Sequence, residues 1–513
     1  MKKSFTSNYI NIYLWKTISI VTGFISLLIV LPRLSNNLEL FGLYSFCISL
    51  TIYLTYSDLG FLGAVQKYAA EYFALGDSET EIELLGFMTI LLVIMIIPFS
   101  IFMIFLSFNP SLVISDISND ATFIASQFFL IMAIFFPIQI ILQRLSQSIL
   151  IIRVKDYIGL KIDVFANMIK ILSVFYFFSN NTYLIVEYFF FITLITIVSQ
   201  LYILFQIKKS ENYDFLKLIN SIKFSKKYYN ISKKLAFSSF ALTFGWLIYY
   251  ELDLILIGNL FGVKEIGIYA VAFTFLNFLR SLWNSVFLPF AQRFNHFVAE
   301  NSFIKIKELL NNLIDYTFPL SILITVTLFL SIEKLIIFWV GVDYIESILI
   351  LQILVIGVFF TFINLPASHY FSALTKYNYI YALAVMFPTV FLVSIFITYS
   401  DFGLNSIAIS KSFTNLIAFV ISFIGIIKFI DFKIFFRWLF PVTLVLIFYH
   451  FGFTTLLNFF FIENYKSSFL LFKLICFLIS TFIISYLLLI FYFKKNRVLF
   501  AKLFNSLIKY FSK

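Results

Sequence analysis

The chain is short of almost everything a water-soluble protein needs. Charged residues make up 12% of its 513 residues, too few to clothe a soluble surface. Histidine occurs three times and cysteine twice. His296, His369 and His450 are far apart in sequence, and Cys47 and Cys476 both fall inside apolar runs. Neither set has metal-ligand spacing, so a zinc or iron–sulfur centre and a disulfide framework are excluded. There is no Gly-rich phosphate loop ending in Lys-Ser/Thr and no His-Glu-x-x-His, which removes ATP hydrolysis by that route and zinc proteolysis. No nucleophile stands with a base. No catalytic residues, metal or cofactor are therefore expected, and the chain reads as a non-enzyme.

What is abundant is apolar length. Hydrophobic residues make up 61% of the chain, in runs of about twenty residues that recur from end to end. Each run is long enough to cross a hydrocarbon core of about 30 Å. The pattern predicts an all-α polytopic membrane protein with about fourteen spans: 11–32, 41–63, 84–108, 121–143, 156–178, 183–207, 235–258, 267–290, 316–340, 347–372, 379–399, 404–427, 438–460 and 469–493. The alternating ten-residue segments of a β-barrel are absent. Lys2 and Lys3 resemble the start of a signal peptide. The following run, however, ends at Pro32 and Arg33 without a small-residue cleavage site, so a retained first helix is expected.

The formal charge of +11 is a topology signal rather than a sign of nucleic acid. Loops on the amino-terminal side, with both termini, hold 27 Lys and Arg; the other side holds Arg33, Lys264 and Lys466 only. Basic loops stay inside, so both termini are expected to be cytoplasmic in a multi-pass inner-membrane protein. The inside segments Val65 to Glu83 and Ala291 to Asn312 are partly amphipathic and are expected along the membrane surface.

Two short patterns recur. Gly42, Leu43, Tyr44 and Ser45 open the second span, and Gly267, Ile268, Tyr269 and Ala270 open the eighth, 225 residues later. The matching exits read Gln66, Lys67, Tyr68 and Gln292, Arg293, Phe294. The offset covers six spans, an even number, so the halves share orientation as a parallel pseudo-repeat. The organisation expected is a six-helix lobe over 1–207, a basic linker over 208–234, a second six-helix lobe over 235–427, and two additional helices with a basic tail over 428–513.

Charges inside spans are costly, about 2.5–3.5 kcal/mol each at mid-bilayer on insertion scales, and by default face protein or water. In the eighth span Asn277, Arg280 and Asn284 share a face with Ser281. In the fifth, Asp163, Asn167 and Lys170 have the same kind of spacing. In the twelfth, Lys411 and Asn415 are four apart, beside Ser410 and Thr414. The intramembrane acids are Asp58, Asp163, Glu251 and Asp253. A structural ion pair is the competing reading for each acid, and a turn or cap for Asp58. Lys16, Lys334 and Lys473 sit near span ends, where they are expected to snorkel. Pro98, Pro137, Pro319, Pro366 and Pro388 mark places where helices can kink.

The stretch from Phe41 through Tyr44 to Asp58, Leu59, Gly60 and on to Tyr68 resembles the start of Wzx-type polysaccharide flippases. So do Glu251 to Gly258, Gly267 to Tyr269 and Phe287 to Ala291. That family belongs to the multidrug/oligosaccharidyl-lipid/polysaccharide exporter (MOP) superfamily. The resemblance implies two six-helix lobes around a central cavity with two extra helices, and alternating access driven by an H⁺ or Na⁺ gradient. It implies an undecaprenyl-pyrophosphate-linked oligosaccharide as cargo, for O-antigen, capsule or exopolysaccharide. It also implies membrane lipid, a polysaccharide polymerase and chain-length proteins as partners. On that reading Arg280, Lys170 and Lys411 bind the anionic head group and Asn167, Asn277, Asn284 and Asn415 line the cavity. Asp253, Glu251, Asp163 and Asp58 are candidates for ion coupling. A lipid-II-type flippase, a cation-coupled drug exporter and, in another class, a polytopic polysaccharide polymerase or ligase are the alternatives.

Overall fold

The computed structural model describes residues 2–55, 58–179, 182–374, 377–463 and 465–492; the basic tail expected after 493 lies outside them. Among the described residues every regular element is helical. The chain divides by packing into two compact units, Met1–Ala270 and Val271–Lys513.

The first unit contains α1 (Lys2–Leu34), α2 (Leu38–Thr55), α3 (Phe61–Ala74), α4 (Ser78–Phe108), α5 (Asn119–Ile152), α6 (Tyr157–Phe177), α7 (Ile185–Glu211), α8 (Phe215–Asn220), α9 (Lys226–Glu251) and α10 (Asp253–Leu260). It also holds the first two turns of α11 (Val263–Ala299), so α9 and α10 pack with this unit although they follow the linker. The second unit holds the rest of α11, then α12 (Phe303–Trp339), α13 (Glu346–Phe359), α14 (Thr361–Ala373), α15 (Tyr377–Phe402), α16 (Asn405–Ile426), α17 (Lys433–Phe448), α18 (Thr454–Phe460) and α19 (Ser468–Tyr492).

All fourteen expected spans fall on these helices in order. Among the described residues ten helices are long and apolar enough to cross a membrane, or eleven if the bent pair α13–α14 is one span. The three others are α2, which is short, and α6 and α9–α10, which carry intramembrane charges.

Three expected spans are broken, each for a local reason. In the second, Leu59 and Gly60 both take positive φ immediately before α3 begins at Phe61. At Gly60 a Cβ would lie 2.3 Å from the Ala236 carbonyl oxygen, so only glycine fits where α3 meets α9. The seventh is interrupted at Leu252, between its two acids. The tenth bends by 45° at Phe360, where the Ser321 hydroxyl donates to the Phe359 carbonyl at 2.9 Å and Pro366 follows in α14. Pro98, Pro137, Pro319 and Pro388 lie inside continuous helices.

The basic linker is structured and docked. Asp77 caps α4 by accepting from Thr80 N at 3.0 Å, and Asp214 caps α8 from Lys217 N at 2.9 Å. Lys217 pairs with Glu79, Tyr228 donates to Glu83, and the Cβ of a residue at Gly86 would meet the Ser221 carbonyl at 2.3 Å. Between these two acids Glu81 turns the other way. Fully buried, it receives a bidentate pair from the largely buried Arg153 side chain, at 2.7 and 3.0 Å. The desolvation of such a pair is offset only by this kind of geometry. In the second unit, buried Asp315 of α12 accepts from Arg437 and from Trp438 Nε1 of α17, which ties the first C-terminal helix to its neighbour.

Candidate functional site

The first unit carries a mixed-charge seam on α6. Asp163, Asn167 and Lys170 lie along one face, and all are half-buried. The Asp163 carboxylate accepts from Gln200 Nε2 of α7 at 3.1 Å. Gln200 in turn accepts from the Ser146 hydroxyl of α5 at 2.8 Å, and both are buried. Lys170, two turns further along, donates to Thr196 Oγ1 of α7 at 2.7 Å. At a rise of about 1.5 Å per residue the carboxylate and the ammonium are anchored about 10 Å apart along the axis, near enough to interact electrostatically.

Asp163 also lines a cavity of about 360 Å³ between α1, α5, α6 and α7, together with Lys16, Ser146, Gln147, Asp156 and Gln200. Lys16, near the end of its expected span, is half-buried and is among the residues that line this cavity. Gln200, Ser146 and Thr196 escaped the sequence reading because single neutral residues in an apolar run carry no pattern.

The acids of α9 and α10 sit on either side of the break at Leu252. Asp253 is fully buried and accepts from the Tyr269 hydroxyl of α11 at 2.6 Å. Tyr53 of α2 lies within electrostatic reach of both Glu251 and Asp253. The break puts the two acids on different helices, one ending at Glu251 and the next beginning at Asp253. Asp58 accepts from Leu62 N at 2.9 Å, which caps α3, and lies within reach of Arg144.

In the second unit Phe273, Asn277, Arg280 and Asn284 follow one another at spacings of four, three and four along α11, and so share a face. Arg280 Nη1 donates to Asn277 Oδ1 at 2.7 Å; Arg280 is half-buried, and Asn284 and Ser281 are exposed. Lys411 of α16 is buried, 2% exposed, with its ammonium 5.1 Å from the Phe273 ring centre and 5.7 Å from that of Phe391 in α15. These are cation–π distances. Lys411 therefore addresses the same face of α11 that carries Arg280, two turns away. Ser410 and Thr414 are buried beside it, and the Asn415 carbonyl accepts from Asn364 Nδ2 of α14 at 3.4 Å. Phe273 and Phe391 are further residues the sequence did not mark, since 72 Phe give no contrast.

A second feature of this unit is an apolar groove of about 360 Å³ between α17 and α19, lined by Pro441, Leu444, Val445, Phe448, Ile484 and Leu488 among others. Among the described residues no group of three or more His, Cys, Asp and Glu is arranged to hold a metal ion.

No family model and no curated protein matches the chain. Solved structures do. The lipid II flippase MurJ in an inward closed conformation is 15% identical, covers 92% of this chain and 97% of its own, and has a TM-score of 0.69. An inward-facing multidrug resistance MATE family transporter of the MOP superfamily is 13% identical, covers 80% and 98%, with a TM-score of 0.62. A MOP superfamily transporter from Pyrococcus furiosus, described as having a binding pocket of reverse polarity, is 14% identical, covers 83% and 96%, with a TM-score of 0.52. At such identities the likeness is one of fold: this chain has the fold of MOP-superfamily transporters.

Proposed function

We propose that the chain is a flippase carrying an undecaprenyl-pyrophosphate-linked oligosaccharide repeat unit from the cytoplasmic to the outer leaflet, for surface polysaccharide synthesis. The observation that carries this reading is the seam of the second unit. Arg280 and Lys411 address one face of α11, and neither α16 nor the second-unit part of α11 contains an Asp or Glu. A pyrophosphate carries about two negative charges through a low-dielectric region, and fixed cations offset its desolvation. Arg can grip phosphate oxygens bidentately. A drug–cation exporter calls for the opposite polarity.

Two further observations favour a lipid-linked cargo. The flippase neighbour covers 92% of this chain, against 80% for the multidrug transporter. The apolar groove between α17 and α19 suits a prenyl chain. Lipid II, the cargo named for that neighbour, has the same charged head, so the seam alone does not choose between the two lipids. The Wzx-like stretches around Gly42 and Glu251 favour the oligosaccharide unit.

In this account the lobes are 1–207 and 235–427, joined by the linker 208–234, and 428–513 is the carrier of the lipid tail. Both termini are cytoplasmic and the membrane is the inner one. Lys170 joins the anion path from the first unit, and Asn167, Asn277, Asn284 and Asn415 supply neutral hydrogen bonds. H⁺ or Na⁺ couples through Asp163 or through Asp253 and Glu251, with Asp58 at the cytoplasmic end of α2. Polymerase and chain-length proteins receive the product. A strain lacking the chain should accumulate lipid-linked oligosaccharide on the cytoplasmic leaflet and lose surface polymer. Normal surface polymer in that strain would exclude the assignment.

A further inference from the structure

Four helices of the first unit close around the cavity that Asp163 lines, and all four do so at the same end of the bundle. The lining comes from residues 12–16 of α1, 146–151 of α5, 156–163 of α6 and 200–203 of α7. These ends adjoin the lysine-rich turns and linker, so the cavity lies near the headgroups of that leaflet rather than at mid-bilayer. Its wall carries three charges. Asp163 is held by Gln200 at 3.1 Å. Lys16 and Asp156 are not held: among the described residues neither makes an ion pair or a side-chain hydrogen bond to another residue.

Asp156 stands immediately before α6, where an Asp ordinarily accepts from an amide of the first turn. Asp77 and Asp214 do so at the starts of α4 and α8, at 3.0 and 2.9 Å. Asp156 makes no capping bond, and one of its carboxylate oxygens is buried with no hydrogen-bond partner. The cations beside it in the chain are engaged elsewhere: Arg153 pairs with Glu81, and Lys155 with Glu211. A half-buried carboxylate in such a setting is costly unless a donor meets it. The cavity it lines is where a donor can arrive. On α1, Lys16 brings a half-buried ammonium with three hydrogens to donate and no acceptor among the described residues.

We propose that this cavity binds the zwitterionic headgroup of a membrane phospholipid bearing a primary amine, with the ammonium on Asp156 and the phosphate on Lys16. A carboxylate and an ammonium that line one small cavity without pairing match a ligand whose own two charges lie a few atoms apart. A purely anionic headgroup would leave Asp156 facing a like charge, and a bare cation would do the same to Lys16. A primary ammonium donates up to three hydrogen bonds to the carboxylate and its neighbour Gln147, whereas a trimethylated one donates none. The volume of about 360 Å³ is at the lower end of ordinary ligand pockets and suits a headgroup. Ile12, Leu150, Ile151, Leu160 and Ile203 complete the wall, and Ile151 is exposed, so the apolar part of the ligand has a way out to the lipid. This favours a lipid over soluble phosphoethanolamine. The headgroup bridges α1 to α6, so the stability of the chain depends on the lipid around it. The site rests on the membrane-spanning fold alone, not on the cargo or on coupling.

The test uses the purified full chain in nanodiscs of phosphatidylcholine, alone, doped with phosphatidylethanolamine or phosphatidylglycerol, or with free phosphoethanolamine in the buffer. Phosphatidylethanolamine should raise the melting temperature above that in phosphatidylcholine, and phosphatidylglycerol should not. Asp156→Asn and Lys16→Gln should each raise the phosphatidylethanolamine fraction needed by about tenfold, the scale of one charged hydrogen bond. Lys161→Gln, whose side chain lies over the Trp15 ring, should leave it unchanged. Equal stabilisation by phosphatidylglycerol, or an ethanolamine preference that survives in both variants, would overturn the proposal. So would equal stabilisation by free phosphoethanolamine, which would make the ligand soluble, or by sodium alone. Where a variant does not fold, a photoactivatable phosphatidylethanolamine on the unaltered chain decides: crosslinks within 146–163 support the site, and crosslinks only elsewhere overturn it. Loss of undecaprenyl-pyrophosphate binding with the phosphatidylethanolamine effect intact would reject the cargo and keep this site.

Discussion

The polar seams of the two units are built from different charge. In the first, Lys170 shares α6 with Asp163, and amide and hydroxyl groups from α5 and α7 hold both. In the second, Arg280 and Lys411 stand on α16 and on the second-unit part of α11, neither of which contains an acid, and are held in part by an amide and two aromatic rings. In a paired acid and base each charge favours the charged form of the other, so a change of proton occupancy requires the pairing itself to change. Two cations at one face of a helix raise the local positive potential. The proposed function assigns coupling to the first seam and head-group binding to the second.

The largest effect that would sharpen this contrast is expected at Arg280. Arg280→Ala should reduce transport by about ten- to hundred-fold, the equivalent of one charged hydrogen-bond set of about 1.5–3 kcal/mol, with protein level unchanged. Arg280→Lys should recover only part of it, since an ammonium cannot bind phosphate bidentately. Surface polymer per unit of protein is the readout, and wild-type output from the alanine variant would remove Arg280 from the mechanism. Lys411→Met keeps the length and the contact with Phe273 while removing the charge. About a tenfold loss is expected, on the same scale of one charged contact. Loss of folding instead of loss of transport would mean that Lys411 is a packing residue.

Asp163→Asn should act on the other side of the comparison. It leaves the hydrogen bond to Gln200 possible but removes the titrating group. Transport should persist, with its dependence on an imposed pH gradient flattened; an unchanged dependence would break the proposed division. The smallest effect is expected at Lys217→Ala. Its pair with Glu79 is exposed, and such pairs contribute about 0–1 kcal/mol, so neither stability nor transport should move measurably.

The positions of the helices were legible because apolar length is read directly from composition and the membrane enforces helix. The breaks were not. At Gly60 and Phe360 the contacts that go with the break, to Ala236 and Ser321, come from residues far away in sequence. The linker 208–234 reads as a solvated basic loop, yet Lys217 and Tyr228 find Glu79 and Glu83 on α4. Spacing alone revealed the stripes of α6, α11 and α16, since charge stands out against an apolar background. It could not reveal Gln200, Thr196 or Phe391, which look like their neighbours. The repeat was visible at Gly42 and Gly267, whose meeting gives the match a physical basis. Of the matching exits, Gln66 donates to Ser148 at 2.9 Å, and the side chain of Gln292 lies outside the described residues.

The central claim is that cations on one face of α11 receive a lipid pyrophosphate. Thermal stabilisation of the purified chain by undecaprenyl pyrophosphate, compared with undecaprenol, tests it most directly. The pyrophosphate should raise the melting temperature, the alcohol should not, and the double variant Arg280→Ala with Lys411→Met should lose the difference. Equal stabilisation by both lipids, or a pyrophosphate preference that survives in the double variant, would contradict the account.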